Sequence, residues 1–330
     1  MAKTKIAGDH GMTVKSATIP IGEIGAFKVN VPIVQVGKGK FPHLGILCGV
    51  HGNETSSLLI SYLLLKRLLG KVHGKISIVT AANPFAQATN SRVSLTDFYD
   101  LNRTGAGKSD GALTERLASK ILEYLSSNCS HVIDLHEFEM NTPPMAIYIP
   151  SQDDAVDKQI LRMIGVFNPT TVWSMNLSTP DEIRYTGSLL SVLINKGIPG
   201  FAVETSRLCV VTPGEIEETV NGLISVCKLL GLIQGEYKYT CPVPYKRHVK
   251  HSDYAGLWLP EREAMSTISK GERIGKIIGL DLVSEHEISA WTDGILIQVR
   301  KPELVQTGTN LFTIGEIDSA VAQKFESIAK

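Results

Sequence analysis

The sequence has no net charge, no paired cysteine motif, no repeat and no long apolar run, and each absence removes a class of protein. Lys plus Arg and Asp plus Glu both number 33 in 330 residues, so no overall field draws the chain onto nucleic acid or an anionic membrane surface. The five cysteines (Cys48, Cys129, Cys209, Cys227, Cys241) are odd in number, scattered, and never in a C-x-x-C arrangement. That pattern fits free thiols in a reducing compartment better than a secreted disulfide framework. The greasiest stretch, Leu58 to Leu69, is broken by Lys66 and Arg67, and MAKTKIAGDHGM has no apolar core of signal-peptide length. The expectation is a soluble, cytoplasmic protein with no membrane span. No internal repeat or low-complexity tract is present, and the composition leaves self-association as a homo-oligomer open.

What remains is ordinary globular composition, 43% hydrophobic and 20% charged, enough to fold by burial alone. Apolar runs at Phe27–Val36, Leu44–Val50, Ile76–Ala82, His131–Leu135, Met145–Ile149, Thr170–Trp173 and Gly200–Val203 read as strands. Leu113, Leu117, Ile121 and Leu125 mark a helix behind caps at Ser109 and Asp110, and Ile216 to Leu230 another entered after Pro213. The segment after Glu54, apolar on nearly every side, predicts a helix buried between layers. Strands alternating with helices predict an α/β fold, a mixed sheet flanked by helices on both faces. Near Gly235 a proline-bearing, basic stretch reads as a linker, and short β-branched segments follow until the last dozen residues. Residues 1–235 are therefore expected to form the main domain, and residues 236–330 a small C-terminal all-β domain with Trp258 and Trp291 in its core.

Four segments carry chemistry. In G-I-L-C-G-V-H-G-N-E a strand ends at Val50 and a helix follows, so His51 and Glu54 sit on a strand-to-helix turn, where ligand crevices of α/β sheets open. Taken alone, H-x-x-E also describes a solvated loop pair. In H-V-I-D-L-H-E-F-E a second strand delivers His136, either a third ligand or a strand-end histidine bonded to a loop. Two histidines and a glutamate are a ligand set of catalytic zinc, with one coordination position left for water. In D-F-Y-D-L-N-R, Asp100 suits the contact that orients a metal-bound imidazole, and Asn102 with Arg103 suits a carboxylate, unless the segment is only a polar turn. In G-I-P-G-F-A-V-E-T-S-R another strand ends at Glu204, placed as a general base or else as a surface charge beside helix caps at Thr205 and Ser206.

Together H-G-N-E, D-L-N-R, I-D-L-H and the A-V-E-T strand end, in this order, resemble the succinylglutamate desuccinylase and aspartoacylase family, relatives of the zinc carboxypeptidases. The likeness spans roughly residues 40–330, because the I-S-A-W-T-D-G-I-L stretch resembles that family's C-terminal domain. It implies a carboxypeptidase-like fold and one zinc ion per chain, held by His51, Glu54 and His136. Glu204 would be the general base, and Asn102 and Arg103 the carboxylate grip. Arg92 would polarise the scissile carbonyl, and Tyr185 with Arg184 would line the acyl or carboxylate pocket. The activity implied is hydrolysis of an N-acyl amino acid or similar small amide. The alternatives are a metallocarboxypeptidase acting on peptides and a zinc- or ligand-binding protein without turnover. A biotinyl or lipoyl carrier role for the tail lacks its acceptor lysine, since Gly279-Leu280-Asp281-Leu282 stands at the turn. The remaining histidines (His10, His43, His73, His131, His248, His251, His286) have no partners at ligand spacing and read as surface or hydrogen-bonded.

Overall fold

Two ten-residue strands, β1 (Lys15–Ile24) and β2 (Phe27–Val36), open the described chain as an antiparallel hairpin turned at Gly25. The computed structural model describes residues 14–205 and 211–330, so His10, Ser206 and Cys209 lie outside the described residues. Strand β1 has no counterpart among the expected strands. Pro20 and Gly22 break its alternation, and the register shifts between them, the kind of irregularity an edge strand tolerates.

The chain then runs β3 (His43–Leu47), α1 (Ser56–Leu68), β4 (Lys75–Val79), α2 (Pro84–Ala88), α3 (Leu113–Asn128), β5 (His131–Glu137), β6 (Met145–Tyr148) and α4 (Asp154–Phe167). It continues through β7 (Thr171–Ser174), α5 (Leu189–Asn195), β8 (Gly200–Thr205) and α6 (Pro213–Leu229). The strands lie in the order β1-β2-β4-β3-β5-β8-β6-β7. At its centre β4, β3, β5 and β8 are mutually parallel, while β2 and β6 join antiparallel. Every residue of β3 is buried, and only His131 of β5 escapes full burial, which is why these strands read as apolar runs and not as alternation. Helix α6 packs on both α1 and α4, while α3 packs on α5 and β1. Together they cover the mixed sheet.

Helix α1 differs from its expectation. Ile60, Leu64 and Leu68 are buried, but Leu58, Leu59 and Tyr62 are exposed, so the helix has an outer face. The caps of α3 differ too. Neither Ser109 nor Asp110 starts it; Glu115 accepts from Ala112 N–H at 2.9 Å, and Asp97 accepts from Thr114 N–H at 2.8 Å.

Beyond α6 come β9 (Pro244–His251), β10 (Gly256–Pro260), β11 (Thr267–Ile268), β12 (Arg273–Ile278), β13 (Glu285–Ser289), β14 (Gly294–Val299), β15 (Glu303–Val305), β16 (Asn310–Ile317) and α7 (Ser319–Ala329). Strand β9 pairs with β7 and carries β16, β14 and β11 onto the main sheet, making it twelve-stranded; β13, β12, β10 and β15 form a second sheet. A separate hydrophobic cluster, with Trp258 at its heart, fills the space between these strands. Trp291 is not in that cluster. It is 41% exposed and stacks on Phe312 from outside. Helix α7 returns to the first core, where Val321 and Phe325 are buried. None of the described helices is long and apolar enough to cross a membrane.

Candidate metal centre and cleft

The turn after β3 is shaped by two glycines. Gly49 has φ +67°, a conformation costly for any residue with a Cβ. A Cβ at Gly52 would lie 1.9 Å from the Ala86 carbonyl carbon, so only glycine lets the H-G-N-E turn press against α2. This close approach sets His51 and Glu54 at the head of the sheet. The following helix, α1, receives no cap from its own Thr55; its first amide, Ser56 N–H, donates to the Glu137 carboxylate.

Strand β5 supplies His136 beside them. Glu54 bridges the two imidazoles, with Oε1 2.6 Å from His51 Nδ1 and Oε2 2.8 Å from His136 Nδ1. Oε2 also accepts from Glu137 N–H at 3.1 Å. All three side chains are buried, their ligand atoms lie within 4.8 Å of one another, and the imidazole centroids are 4.9 Å apart. The outer nitrogen of each ring faces a carboxylate. His51 Nε2 lies 3.3 Å from Asp100 Oδ1, and His136 Nε2 lies 3.0 Å from Asp134 Oδ2. Carboxylates behind two inward-facing imidazoles are the arrangement that orients metal-ligating histidines and fixes their tautomers. The donor set therefore fits a divalent ion such as zinc.

Electrostatics around the cluster follow from burial and pairing. Burial pushes the Glu54 carboxyl up, but the flanking imidazoles outweigh it and hold it well below the usual carboxylate range. Burial likewise opposes ionisation of Asp100, yet the His51 hydrogen bond and the Arg92 charge leave it depressed. His136 moves the other way: burial lowers it, and Asp134 and Glu54 raise it well above an ordinary histidine.

Glu204 is the register partner of His136 on the adjacent parallel strand β8. Paired residues of neighbouring strands share a sheet face, so the carboxylate stands beside the cluster. Its Oε2 is enclosed, without a hydrogen-bond partner among the described residues, and burial pushes its pKa up to about 8. Arg92 also reaches the cluster, with Nη2 3.2 Å from Asp100 Oδ2 and Nη1 3.7 Å from Glu54 Oε1.

The D-L-N-R segment is a 3-10 turn, Leu101–Arg103, capped by Asp100 Oδ1 accepting from Asn102 N–H at 2.9 Å. Asn102 Oδ1 accepts from Leu189 N–H at 3.2 Å, tying this turn to α5. The Arg103 guanidinium lies 4.4 Å from the Tyr185 ring centroid, and Tyr185 meets Trp173 edge-on at 5.3 Å. His51, Glu54, Arg92, Asp100, Asn102, Arg103, Tyr185 and Glu204 all line one cleft of about 310 Å³, with Arg184 at its rim; His136 lies behind Glu54.

Sequence reasoning missed several residues of the cluster and the cleft. Asp134 had a signal, because it stands two residues before His136 on a strand and so shares its face. Arg247, Arg300 and Asn310 line the cleft from β9, from the turn after β14, and from β16. Arg247 lay inside the stretch read as a basic linker; there Tyr245 and Arg247 alternate with the more exposed Lys246, a strand signature masked by charge.

The geometry defines a class first: an α/β protein with a candidate two-histidine, one-carboxylate metal centre at its strand ends. The sequence model of the succinylglutamate desuccinylase/aspartoacylase catalytic domain matches residues 40–230, and the chain belongs to that family. N-alpha-acetyl-L-2,4-diaminobutyric acid deacetylase of Halomonas elongata is 24% identical over 302 residues, 88% of this chain and 86% of the relative. Among solved structures, a product-bound ectoine utilization protein from Ruegeria pomeroyi has a TM-score of 0.83 at 20% identity, covering 95% of this chain and 98% of that one. An aspartoacylase family protein from Mesorhizobium loti has a TM-score of 0.78 at 22% identity, covering 93% and 95%. At these identities the structural likeness establishes the fold.

Proposed function

We propose that this protein is a zinc-dependent deacylase that hydrolyses the amide bond of an N-acyl amino acid or a similarly small amide. The observation that carries the reading is the register pairing of His136 with Glu204, which sets an unpartnered carboxylate oxygen beside the His51–Glu54–His136 cluster. Deacylation is the chemistry of the family, and the relative from Halomonas elongata is a deacetylase.

His51, Glu54 and His136 would hold the ion. When bound, it supplies a Lewis acid that polarises a carbonyl and makes water acidic near neutral pH. Glu204 takes the proton from the attacking water and returns it to the leaving nitrogen. Arg92, half-exposed at the cluster, donates to the carbonyl oxygen as charge develops. Asn102 and Arg103 hold the substrate's carboxylate, and Tyr185 packs beneath that grip. The size of the cleft, which Arg247, Arg300 and Asn310 also line, favours small substrates over long peptides.

Glu204→Gln tests this directly. It keeps size and hydrogen bonding but removes the base, so zinc content measured by atomic absorption should stay near that of the parent while kcat falls by about 100- to 10,000-fold. Undiminished turnover in that variant would remove Glu204 from the chemistry.

A further inference from the structure

Glu137 follows His136 on β5, is buried and borders the cleft, and the proposed chemistry gives its carboxylate no task. Its bonds run to another element that carries the site. The carboxylate accepts from Ser56 N–H, the first amide of α1, two residues beyond Glu54. Its own N–H donates to Glu54 Oε2 at 3.1 Å. One residue thus holds Glu54 twice, by its carboxylate tip and through the backbone that follows it.

A third strand end closes the arrangement. Thr205 follows Glu204 on β8 and is the register partner of Glu137. Its Oγ1–H donates to the His136 carbonyl at 3.3 Å, which leaves Ser56 Oγ–H to donate to Thr205 Oγ1 at 3.1 Å. Ser57 Oγ–H donates to the Glu54 carbonyl at 3.2 Å. Ser56, Glu137 and Thr205 are all buried, and each stands one or two residues after a member of the site: Glu54, His136 and Glu204 respectively.

A helix is commonly capped by the residue before it, a contact that moves with the helix. Thr55 makes no such contact, and the amide is satisfied by a strand residue 81 positions away in the chain. The positive end of α1 favours that carboxylate, so the start of the helix cannot shift independently of β5. Such coupling matters for a site in which a misplacement of about 1 Å can cost about 100-fold in rate.

We propose that Glu137 is a positioning residue, which with Ser56 and Thr205 forms a brace that fixes Glu54 between the two imidazoles and sets the spacing from the cluster to Glu204. This rests on the zinc-deacylase reading and deepens it, and the brace works through hydrogen bonding and not through charge.

Glu137→Ala should weaken zinc by about 10- to 100-fold in competition with a chelator of known affinity. Turnover is followed on whichever N-acetyl or N-succinyl amino acid the parent hydrolyses fastest. There kcat should fall by about 10- to 100-fold while KM moves by less than about threefold, since Asn102 and Arg103 lie outside the brace. Glu137→Gln keeps an oxygen that accepts from Ser56 N–H and should restore both quantities to within about threefold of the parent. A glutamine variant as impaired as the alanine one would make charge the active element and overturn the brace. Thr205→Val should act in the same direction with smaller size, and it carries the test should Glu137→Ala not fold. Combined with Glu137→Ala it should cost less than the product of the two single effects, because the groups share one network. In cobalt-substituted protein, the visible absorption bands should shift in Glu137→Ala and Thr205→Val and return in Glu137→Gln, a change that lowered stability alone does not produce. Zinc affinity lost in Glu137→Ala and restored in Glu137→Gln, in a protein that hydrolyses no N-acyl amino acid, would support the brace and defeat the deacylase reading. Turnover, zinc affinity and cobalt spectrum all unchanged in a folded Glu137→Ala protein would overturn the brace and leave the deacylase reading standing.

Discussion

The two walls of the cleft are built on different principles. The inner wall comes from the turn after β3 and the ends of β5 and β8, where His51, Glu54, His136 and Glu204 gather at the head of buried parallel strands. The outer wall comes from β9, the turn after β14, and β16, which bring Arg247, Arg300 and Asn310 to the same cleft from segments far along the chain. On the inner wall backbone register does the positioning, and His51, Glu54 and His136 hold one another. On the outer wall Arg247 leans on the Trp173 ring, while Arg300 pairs with Glu303 and Glu139. The first arrangement suits chemistry common to a family, and the second suits selection among substrates.

The sharpest way to break this comparison is to remove the outer wall. A chain ending at residue 235 loses β9, which covers the edge of β7, and α7, whose Val321 and Phe325 are buried in the first core. It also loses the bond of 2.8 Å from Ser174 Oγ–H to Asp318. Losing those two side chains alone forfeits about 3–6 kcal/mol of apolar burial, a large part of the ~5–15 kcal/mol that stabilises a typical domain. The expected product is insoluble or loses its cooperative thermal transition. A truncated chain that melts cooperatively and binds zinc like the parent would show the inner wall to be self-sufficient.

A smaller effect is expected from the carboxylate behind His136. Asp134→Asn removes the charge that orients the ring while keeping its shape, and such contacts are worth about 10- to 100-fold in metal affinity. Competition with a chelator of known affinity measures it. Unchanged zinc affinity would mean that Asp134 is only a buried charge beside the cluster.

The two walls also differ in how much of them was legible. The inner wall could be read because a strand end followed by histidine or glutamate is a local pattern, and the apolar runs of β3, β5 and β8 are local too. Glu54 and His136 are far apart in the chain, yet each announced itself by its own local pattern, a turn after one strand and the end of another. Arg247 did not, because its meaning lies in Trp173, which reaches it only through the pairing of β9 with β7. Strand β1 was hidden for a local reason, since Pro20 and Gly22 look like breakers until a bulge accommodates them. The start of α3 was hidden because Asp97, which caps Thr114 N–H, lies well outside the helix. The outer face of α1 eluded the pattern because its leucines and tyrosine are apolar all round, and periodicity cannot mark which side meets solvent.

The smallest effect concerns stability, away from the cleft. His43, at the start of β3, is buried, with Nε2 2.8 Å from Ser77 Oγ in a neutral network that continues to Tyr124 OH at 2.9 Å. Burial, aided by the nearby Lys75 charge, lowers its pKa from 6.5 to about 4. A histidine depressed in the folded state binds its proton more readily when unfolded. Its contribution is therefore fully present above pH 6.5 and is lost as pH falls from there toward about 4, by up to about 3 kcal/mol. His43→Asn cannot titrate in this range. Urea unfolding of the parent followed between pH 7 and pH 4.5 should show a steeper fall in midpoint than the same series on the variant, since only the parent has to protonate this site on unfolding. Parallel slopes in the two series would place the acid sensitivity of the sheet elsewhere than β3.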